Sequence, residues 1–474
     1  MRATTRRELL HAALVAAGTG LLPACHRTSL GPPSERLPAY HPGEALPWRN
    51  WAANQGCRPV MRGAPENEAA LADLLRTAQG VIRPVGAGHS FTALVPSDGT
   101  LVACDLMSGV LSADPDRLQA EVWAGTRLHQ LGPALQAVGQ AMPNLPDIAY
   151  QALGGAVATS THGTGPSFGS LSSMLQGLAL VTPAGDLIEC SLEQNPEIFQ
   201  AARCSLGALG VVSRMTLQNQ RSFDLTETTS FEILEDVLDE IEKRREQHRH
   251  FEFYAFPHTG AAMVVATDEG RREPTPEVPV EGDPIHALRD AYRKVGGVPL
   301  LGSRLYESIV SDLGGTEPIV RSGPSFQVLT HVRIARFREM EYTVPSDAGP
   351  ACLREILDTI RRERIPVIFP IEYRYVQRDD VWLSMFHDRD GCTISIHQFA
   401  DEEYRPYFDS MERVFRKYEG RPHWGKLHTQ DSQSLARLYP RWKDFLEVRE
   451  SLDPAGRMLN EHLRSVFGVT RSAS

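Results

Sequence analysis

Short apolar segments separated by glycine and proline dominate the sequence between Trp48 and about residue 220. Segments of this kind predict β-strands, which here cover residues 81–85, 101–104 and 177–181. Helices are predicted at residues 66–77 and 128–138, although Pro133 interrupts the second pattern. This half of the chain is therefore predicted to mix strands and helices, as α+β and α/β folds do.

The second half of the chain alternates between the same two kinds of segment. Strands are predicted at residues 250–255, 326–334, 367–376 and 393–399, and helices at residues 234–247, 351–363, 404–417 and 435–448. Residues 270–285 are rich in proline and acidic side chains, which predicts a loop or an insertion. No repeat of fixed period is present in the sequence.

Composition narrows the classes of function. The 474 residues carry a formal net charge of −10, and no stretch of clustered lysine and arginine is present. Nucleic-acid binding is therefore excluded, because phosphate contacts need such clusters. The cysteines after Cys25 are scattered without a C-x-x-C spacing, so neither a zinc site nor a redox dithiol is predicted. Most of them are expected to be small buried apolar residues.

The N-terminus has the features of an export signal. Arg6 and Arg7 precede a short apolar stretch that ends near Ala24, which indicates the twin-arginine route to the periplasm or cell envelope for residues 1–25. Cys25 follows a sequence like a lipoprotein box, so either a lipid tether on Cys25 or a soluble periplasmic protein cleaved nearby is expected. Residues 26–46 are predicted to form a tether. This route carries folded proteins, which suits a protein that loads a cofactor before export.

A glycine-rich turn follows the first predicted strand. The sequence is Arg83-Pro84-Val85-Gly86-Ala87-Gly88-His89-Ser90. Glycines at this spacing allow the backbone to approach a phosphate group. The third glycine of a dinucleotide-binding fingerprint and the Gly-Lys-Ser/Thr of a P-loop are both missing. On spacing alone, a plain tight turn is an equally good interpretation.

A second glycine-rich segment covers residues 153–165, and a third, shorter one covers residues 207–212. The second segment combines glycines with hydroxyl side chains and has few large side chains, so a flat polar molecule could lie against it. The alternatives are a tightly packed strand crossing and a histidine, His162, that is satisfied within the core. All three segments lie in the N-terminal half, which suggests one extended cofactor site.

The C-terminal half contributes titratable side chains. On the predicted strand 367–376, Glu372 and Arg374 share one face, and on strand 393–399 Ser395 and His397 do the same. An ordinary surface ion pair and a sheet edge exposed to water are the alternatives for these two strands. Lys426 follows a Pro-His-Trp-Gly sequence that can hold its ammonium group in a fixed position.

Taken in order, these motifs resemble those of the FAD-linked sugar-lactone and alditol oxidases of the vanillyl-alcohol oxidase superfamily, and most of all the D-arabinono-1,4-lactone and L-gulono-1,4-lactone oxidases. The resemblance is carried by residues 85–90, 159–165, 371–374, 421–426 and 453–460. It implies an α+β fold with a two-part FAD-binding domain at residues 47–222. It also implies a cap domain with a large antiparallel sheet at residues 223–420 and a segment 421–474 that returns to the flavin.

The resemblance also implies which residues hold FAD. His89 would form a covalent bond to the flavin 8α carbon. The remaining FAD contacts implied by the family are Pro84, Gly86, Ala87, Gly88, Ser90, Pro146, Asp147, Gly154, Gly155, Ser160, Thr161, His162, Gly163, Gly210 and Val212. Residues 144–148 would lie near the isoalloxazine, where oxygen access is controlled.

Four residues would surround the substrate by the same resemblance: Glu372, Arg374, Lys426 and His397. The expected reaction oxidises an alcohol of a sugar lactone by hydride transfer to FAD, with a residue accepting the hydroxyl proton and oxygen reduced to hydrogen peroxide. Alditol oxidases carry threonine where this chain has Phe399, which favours a lactone over an open-chain polyol. The alternatives are an alditol oxidase, a dehydrogenase that reduces a quinone or cytochrome, and a lipoprotein that binds sugars without turnover.

Overall fold

The computed structural model describes residues 46–275, 289, 317–333 and 335–470. The export signal, Cys25 and residues 26–45 lie outside these ranges, and so does most of the predicted proline-rich loop. Residues 271–275 of that loop are described and have no regular secondary structure. No helix within the described ranges is long and apolar enough to cross a membrane.

The N-terminal part consists of small sheets and helices. Its strands are β1 (Trp48–Arg49), β2 (Gly56–Cys57), β3 (Met61–Gly63), β4 (Ile82–Val85), β5 (Thr100–Ala103), β6 (Val110–Asp114), β7 (Gln119–Trp123), β8 (Gln140–Ala141), β9 (Leu175–Val181), β10 (Leu187–Ser191), β11 (Val211–Gln218) and β12 (Gln220–Arg221). Its α-helices are α1 (Glu68–Thr77), α2 (Leu128–Ala137), α3 (Leu153–Ala158) and α4 (Pro196–Ala202). Strands β3, β5 and β4 form a parallel sheet, and β10, β9, β11, β7 and β6 form an antiparallel sheet in that order.

One large antiparallel sheet dominates the rest of the chain. Its strands are β13 (Asp224–Ile233), β14 (His250–Ala255), β15 (Ala261–Glu269), β16 (Ile319–Pro324), β17 (Phe337–Pro345), β18 (Ile371–Val376), β19 (Gly391–Phe399) and β20 (Arg421–Pro422). The eight strands run in the order β16-β13-β15-β14-β18-β19-β17-β20. Helices α5 (Leu234–Asp239), α6 (Ile241–Gln247), α7 (Ser325–Val328), α8 (Gly349–Glu363) and α9 (Arg405–Lys417) connect them.

The two faces of this sheet differ in character. Apolar side chains such as Phe253, Tyr373 and Ile394 form a buried cluster with the apolar sides of α8 and α9. The period of two along a strand then places the intervening residues on the opposite face. That opposite face carries the acidic and basic side chains described below.

Three helices end the described chain: α10 (Ser432–Leu438), α11 (Trp442–Leu452) and α12 (Glu461–Phe467). Their apolar residues, including Leu435, Trp442 and Leu463, belong to the same buried cluster as Leu153 and Val157 of α3. The last segment therefore packs on the N-terminal part, beside the second glycine-rich segment.

Most predicted elements are present, and the predicted α+β class with a large antiparallel sheet is confirmed. The strand predicted at 326–334 is wrong, because a short helix, Ser325–Val328, occupies its first residues. The helices predicted at 234–247 and 435–448 are each divided into two. Helix α2 continues through Pro133, which lies near the middle of its ten residues. The described cysteines are unpaired, and four of them are fully buried: Cys190, Cys204, Cys352 and Cys392.

Candidate active site

The first glycine-rich turn is tied to its surroundings by buried hydrogen bonds. Arg83, at the start of the motif, donates through its guanidinium to the carbonyl oxygens of Leu94, Leu206, Gly207 and Met458, at 2.5–2.8 Å. The backbone N–H of Trp51 donates to the carbonyl of Gly88 at 2.8 Å. Gly88 has a φ of +69°, a conformation that glycine adopts without strain. The turn is therefore fixed in place.

His89 lies in this turn and is partly exposed. Its ring stacks on Trp51, with ring centroids 5.5 Å apart and an angle of 28° between the planes. Burial, together with the charges of Lys426 and Arg127, lowers the pKa of His89 to about 4. The imidazole is therefore neutral at physiological pH, which is the form that can act as a nucleophile.

The second glycine-rich segment lies against the first. A Cβ atom at Gly86 would lie 2.9 Å from the Cβ of Ala152, one residue before α3. Gly155 in α3 is exposed, and a Cβ at this position would meet no heavy atom within 4 Å. By contrast, a Cβ at Gly163 would lie 2.3 Å from the carbonyl oxygen of Leu145. The tight-packing interpretation thus applies to Gly163, whereas Gly155 faces an open space in which a ligand could lie.

The hydroxyl side chains of this segment are buried, and their hydrogen bonds are made within the protein. Ser160 has a φ of +56° and donates to Oγ of Ser384 at 3.0 Å. Thr161 lies 3.3 Å from the side-chain oxygen of Gln151. Both ring nitrogens of His162 face oxygen acceptors, the Gly163 carbonyl at 2.8 Å and Oε1 of Glu341 at 2.6 Å. His162 is therefore satisfied inside the core, and it also connects this segment to the large sheet.

Pro146 is buried, and Asp147 is held by two cations. Its carboxylate accepts hydrogen bonds from Nδ1 of His331 at 2.8 Å and from Nε of Arg333 at 2.8 Å. Although burial alone would raise the pKa of Asp147, Arg333 and His331 hold it well below its usual range. Its charge is thus balanced by protein groups, and a contact with FAD remains a prediction.

Gly210 and Val212 lie where β11 begins. A Cβ at Gly210 would lie 2.4 Å from the carbonyl oxygen of Val181, and its φ is +153°. Val212 is partly buried and packs on the N-terminal core. The close approach of two strands explains Gly210 without a ligand, so the predicted FAD contacts of both residues remain predictions.

Glu372 and Arg374 share one face of β18, as predicted, but they do not form a surface pair. Their side chains are 8% exposed, and Nη2 of Arg374 lies 3.3 Å from Oε2 of Glu372. Strand β18 lies in the interior of the sheet, between β14 and β19. Every residue of β19 is buried, so the interpretation of residues 393–399 as an edge exposed to water is wrong.

Two carboxylates on β17 complete this face, and neither was predicted. Glu341 accepts hydrogen bonds from Nη2 of Arg374 at 3.1 Å and from Oγ of Ser395 at 2.9 Å, as well as lying beside His162. Although burial would raise the pKa of Glu341, the charges of Arg374 and His162 lower it well below its ordinary value. Alternation of Glu339 and Glu341 with apolar Met340 and Tyr342 is the sequence signal that could have revealed this strand.

Glu339 brings together two of the predicted substrate residues. Lys426 donates a hydrogen bond to Oε2 of Glu339, and Nε2 of His397 lies 3.6 Å from its Oε1. Although burial opposes the change, Lys426 and His397 lower the pKa of Glu339 to about 2. The Lys426 ammonium also lies 5.3 Å from the ring centroid of Phe91, and the backbone N–H of Phe91 donates to the Gly425 carbonyl at 2.7 Å. The predicted substrate residues therefore lie beside the loop that carries His89.

Two triplets on this face have ligand atoms close enough to share a cation. They are His162, Glu341 and His423, and Glu339, Glu372 and His397, with their ligand atoms within 4.8 Å of one another. Each triplet already has a protein cation, Arg374 in the first and Lys426 in the second. Ion pairs within the protein thus account for both groups without a metal ion.

The arrangement fits a flavin. Gly155 leaves open space next to a turn whose histidine is neutral, and the charged face of the sheet adjoins that turn. A carboxylate such as Glu372 can accept a proton, and Arg374 and Lys426 can hold oxygen atoms or balance negative charge.

Comparison with known proteins agrees with this interpretation. The D-arabinono-1,4-lactone oxidase family matches residues 215–466, and the FAD binding domain family matches residues 61–191. An L-gulono-1,4-lactone dehydrogenase of Mycobacterium tuberculosis is 35% identical over 431 residues, covering 89% of this chain and 99% of that protein. L-gulonolactone oxidase of Bos taurus is 30% identical, covering 90% and 99%. Alditol oxidase of a Streptomyces species is 29% identical, covering 88% and 98%.

Among solved structures, a cholesterol oxidase from B. sterolicum has a TM-score of 0.74 at 18% identity, covering 92% of this chain and 100% of that chain. This likeness establishes the fold alone. The fold and the site together define an FAD-dependent oxidoreductase. The chain belongs to the D-arabinono-1,4-lactone oxidase family.

Proposed function

We propose that the protein oxidises an alcohol group of a sugar 1,4-lactone, of the D-arabinono or L-gulono type, using FAD attached covalently to His89, with oxygen as the electron acceptor. One observation carries the proposal. Glu339 joins Lys426 and His397, and the Lys426 loop is bonded to the turn that contains His89. The groups suited to a sugar and the group suited to FAD therefore meet at one place.

Glu372 is the residue we assign to accept the proton of the substrate hydroxyl. It is a buried carboxylate beside Arg374, and it accepts a hydrogen bond from the hydroxyl of Tyr254 at 2.9 Å. Arg374 is held between Glu372 and Glu341, so its guanidinium has a fixed direction from which it can bind a lactone oxygen. Removing water from such a site strengthens each of these interactions.

Lys426 and His397 bind the other side of the substrate in this proposal. Glu339 holds both of them, and the ring of His397 stacks on Phe369, with centroids 5.1 Å apart. A cation fixed in this way stabilises negative charge that develops during the oxidation. Bound FAD supplies the two-electron oxidising chemistry.

Phe399 supports a lactone rather than an open-chain polyol. It lies two residues beyond His397 on β19, is 1% exposed, and packs on Phe369 with ring centroids 4.9 Å apart. A threonine at this position would offer a hydroxyl group to a flexible polyol, whereas phenylalanine offers an apolar wall. A compact ring is the better partner for such a wall.

Oxygen is the proposed acceptor, and a quinone or cytochrome is the alternative. The named relatives include both oxidases and dehydrogenases, so the relatives favour neither. The test is to purify the holoenzyme and supply L-gulono-1,4-lactone, D-arabinono-1,4-lactone or xylitol. Peroxide formation in air is then compared with reduction of an artificial dye without oxygen. The matched control is Glu372→Gln, which keeps the shape of the side chain and removes the proton acceptor.

Turnover of a lactone with stoichiometric peroxide is the expected result. Fast dye reduction with little peroxide would indicate that a molecule other than oxygen accepts the electrons. It would not change the proposed substrate class. Turnover of xylitol without any response to a lactone would overturn the substrate class. A protein without bound flavin would favour the sugar-binding lipoprotein instead.

We also propose that the protein is exported after FAD has been loaded. Arg6 and Arg7 support the twin-arginine route, and Cys25 supports a lipid tether. Replacing both arginines by lysine is expected to keep the flavin-loaded protein in the cytoplasm, and Cys25→Ala is expected to release it from the membrane fraction. Export of the lysine variant would contradict the assigned route.

A further inference from the structure

Tyr254 joins two carboxyl groups on the charged face of the large sheet. Its hydroxyl lies 2.9 Å from Oε1 of Glu372 and 3.3 Å from Oε1 of Glu252. Tyr254 and Glu252 are two residues apart on β14, so their side chains point to the same face. Strand β14 pairs with β18 so that Tyr254 is opposite Glu372 and Glu252 is opposite Arg374. The pairing of these strands therefore fixes the three side chains relative to one another.

One phenolic proton cannot serve two ionised carboxylates. Tyr254 has a single O–H to donate. Burial and the charges of Glu252 and Glu372 raise its pKa well above the ordinary value, so the phenol keeps this proton. Glu372 is the nearer acceptor. If Glu252 is a neutral acid, it can donate its own proton to the Tyr254 oxygen, and all three groups are then satisfied.

The surroundings of Glu252 favour the neutral acid. The titratable groups that face it are Glu372 and Arg374 on β18, His250 on its own strand, Glu227 on β13, and Asp147 and His331 from adjoining loops. Burial and then the charge of Glu372 raise the pKa of Glu252 to about 8, although Arg374 opposes the change. Arg374 is engaged with Glu372 and Glu341 rather than with Glu252.

We infer that Glu252 is a positioning residue for Glu372, because as a neutral acid it donates a hydrogen bond to the Tyr254 oxygen, so that the Tyr254 hydroxyl donates its own hydrogen bond to Glu372. The inference rests on the proposed function, in which Glu372 accepts the proton of the substrate hydroxyl. Ionised Glu252 would compete for the Tyr254 proton and attract Arg374. Glu372 would then lose the hydrogen bond that orients it, and oxidation would slow down.

The first test compares wild-type holoenzyme with Glu252→Gln over a range of pH. Glutamine keeps a hydrogen-bond donor at this position and cannot ionise. The rate of flavin reduction by an aldono-1,4-lactone without oxygen is expected to fall about tenfold per pH unit above about pH 8 in the wild type. In Glu252→Gln it is expected to stay within about threefold over the same range. Glu269→Gln, an exposed glutamate on β15, is the matched control and should behave as the wild type.

The second test does not depend on turnover. A carboxyl group that stays neutral in the folded state destabilises the fold as pH rises from its unfolded pKa, about 4.5, to its folded pKa. The urea midpoint of Glu252→Gln should therefore rise relative to that of the wild type between about pH 5 and pH 8. Equal pH dependence of the two midpoints would mean that Glu252 is ionised, and the inference would fail.

Tyr254→Phe tests whether Glu252 acts on Glu372 through the Tyr254 hydroxyl or by a route that does not need this hydroxyl. In this variant a lactone should reduce the bound flavin about 10- to 100-fold more slowly than in the wild type at every pH. The fall in that rate above pH 8 should disappear. An unchanged rate in Tyr254→Phe, or an unchanged fall in Glu252→Gln, would overturn the inference. Reduction of the flavin by a lactone in the wild type at neutral pH tests the proposed function separately, because that result does not involve either variant.

Discussion

Glu341 and His162 are 179 residues apart in the sequence, and their side chains meet at 2.6 Å in the folded protein. His162 belongs to the glycine-rich segment beside α3, whereas Glu341 belongs to β17 of the large sheet. Glu341 also holds Arg374 and Ser395. One buried carboxylate thus connects the part of the chain that binds FAD with the face of the sheet assigned to the substrate.

Gly155 provides a test of where FAD lies. Gly155→Val is expected to fold normally, because a Cβ there meets no heavy atom within 4 Å apart from the backbone of its own helix, and to lose most of its bound FAD. Flavin content per folded protein is the measurement. Gly260→Val is the matched control, since a Cβ at Gly260 also meets nothing, in the turn between β14 and β15. Full flavin occupancy in Gly155→Val would show that FAD lies elsewhere.

His89 provides a test of the covalent bond. Wild-type protein precipitated with acid is expected to remain yellow, whereas His89→Ala should release its flavin into the supernatant. The physical reason is that a neutral imidazole, with its pKa lowered to about 4, can form the bond. His129→Ala, at an exposed histidine, should retain the flavin. A colourless wild-type precipitate would disprove the covalent bond between His89 and the flavin. It would not change the assignment of the protein as an oxidoreductase.

Lys426 is expected to matter for the reaction through its charge. Lys426→Met should slow flavin reduction by a lactone about 100- to 1,000-fold, because it removes a fixed cation and leaves Glu339 without its hydrogen bond. Lys426→Arg should lose less, since the charge remains. Lys417→Met, which removes an exposed lysine paired with Glu355, should change the rate by less than about twofold. Equal rates for Lys426→Met and the wild type would show that Lys426 does not take part in the reaction.

Glu339 is expected to make the stability of the folded protein depend on pH in the acid range. Its pKa is lowered to about 2 in the folded protein, so the stability it contributes is present above the unfolded pKa of about 4.5 and is lost as pH falls toward 2. The contribution is on the order of 3 kcal/mol at neutral pH. Glu339→Gln should therefore be less stable than the wild type at about pH 6, with the gap narrowing below about pH 4.

Urea unfolding at several pH values measures that gap, and Glu269→Gln serves as the exposed control. A gap that stays constant from neutral to acid pH would mean that Glu339 is not ionised in the folded state.

Local sequence patterns predicted the parts of the site that depend on local geometry. The shared face of Glu372 and Arg374 follows from the period of a strand, and the turn at Gly88 follows from glycine chemistry. Glu339 and Glu341 were missed because charged residues within a strand usually face water. They are buried because Lys426 and His162 compensate their charges, and those partners are distant in sequence.

The errors in the fold have a similar origin. Residues 393–399 alternate polar and apolar side chains as an exposed edge would, yet β17 and β18 cover both sides of β19. At residues 325–328 the apolar run has the composition of a strand, but β16 ends at Pro324 and a helical turn follows. For residues 393–399 the pairing of β19 with two neighbouring strands decided the outcome, and the pattern within one strand does not contain that information.

We propose that the charged face of the sheet presents a sugar lactone to FAD. The most direct measurement mixes the holoenzyme with aldono-1,4-lactones in the absence of oxygen and follows the visible absorbance of the flavin. We expect the wild type to be bleached by a lactone and Glu372→Gln to be bleached at least about 100-fold more slowly. A wild-type flavin that no lactone reduces, or a Glu372→Gln variant reduced as fast as the wild type, would show that this face does not present a lactone to the flavin.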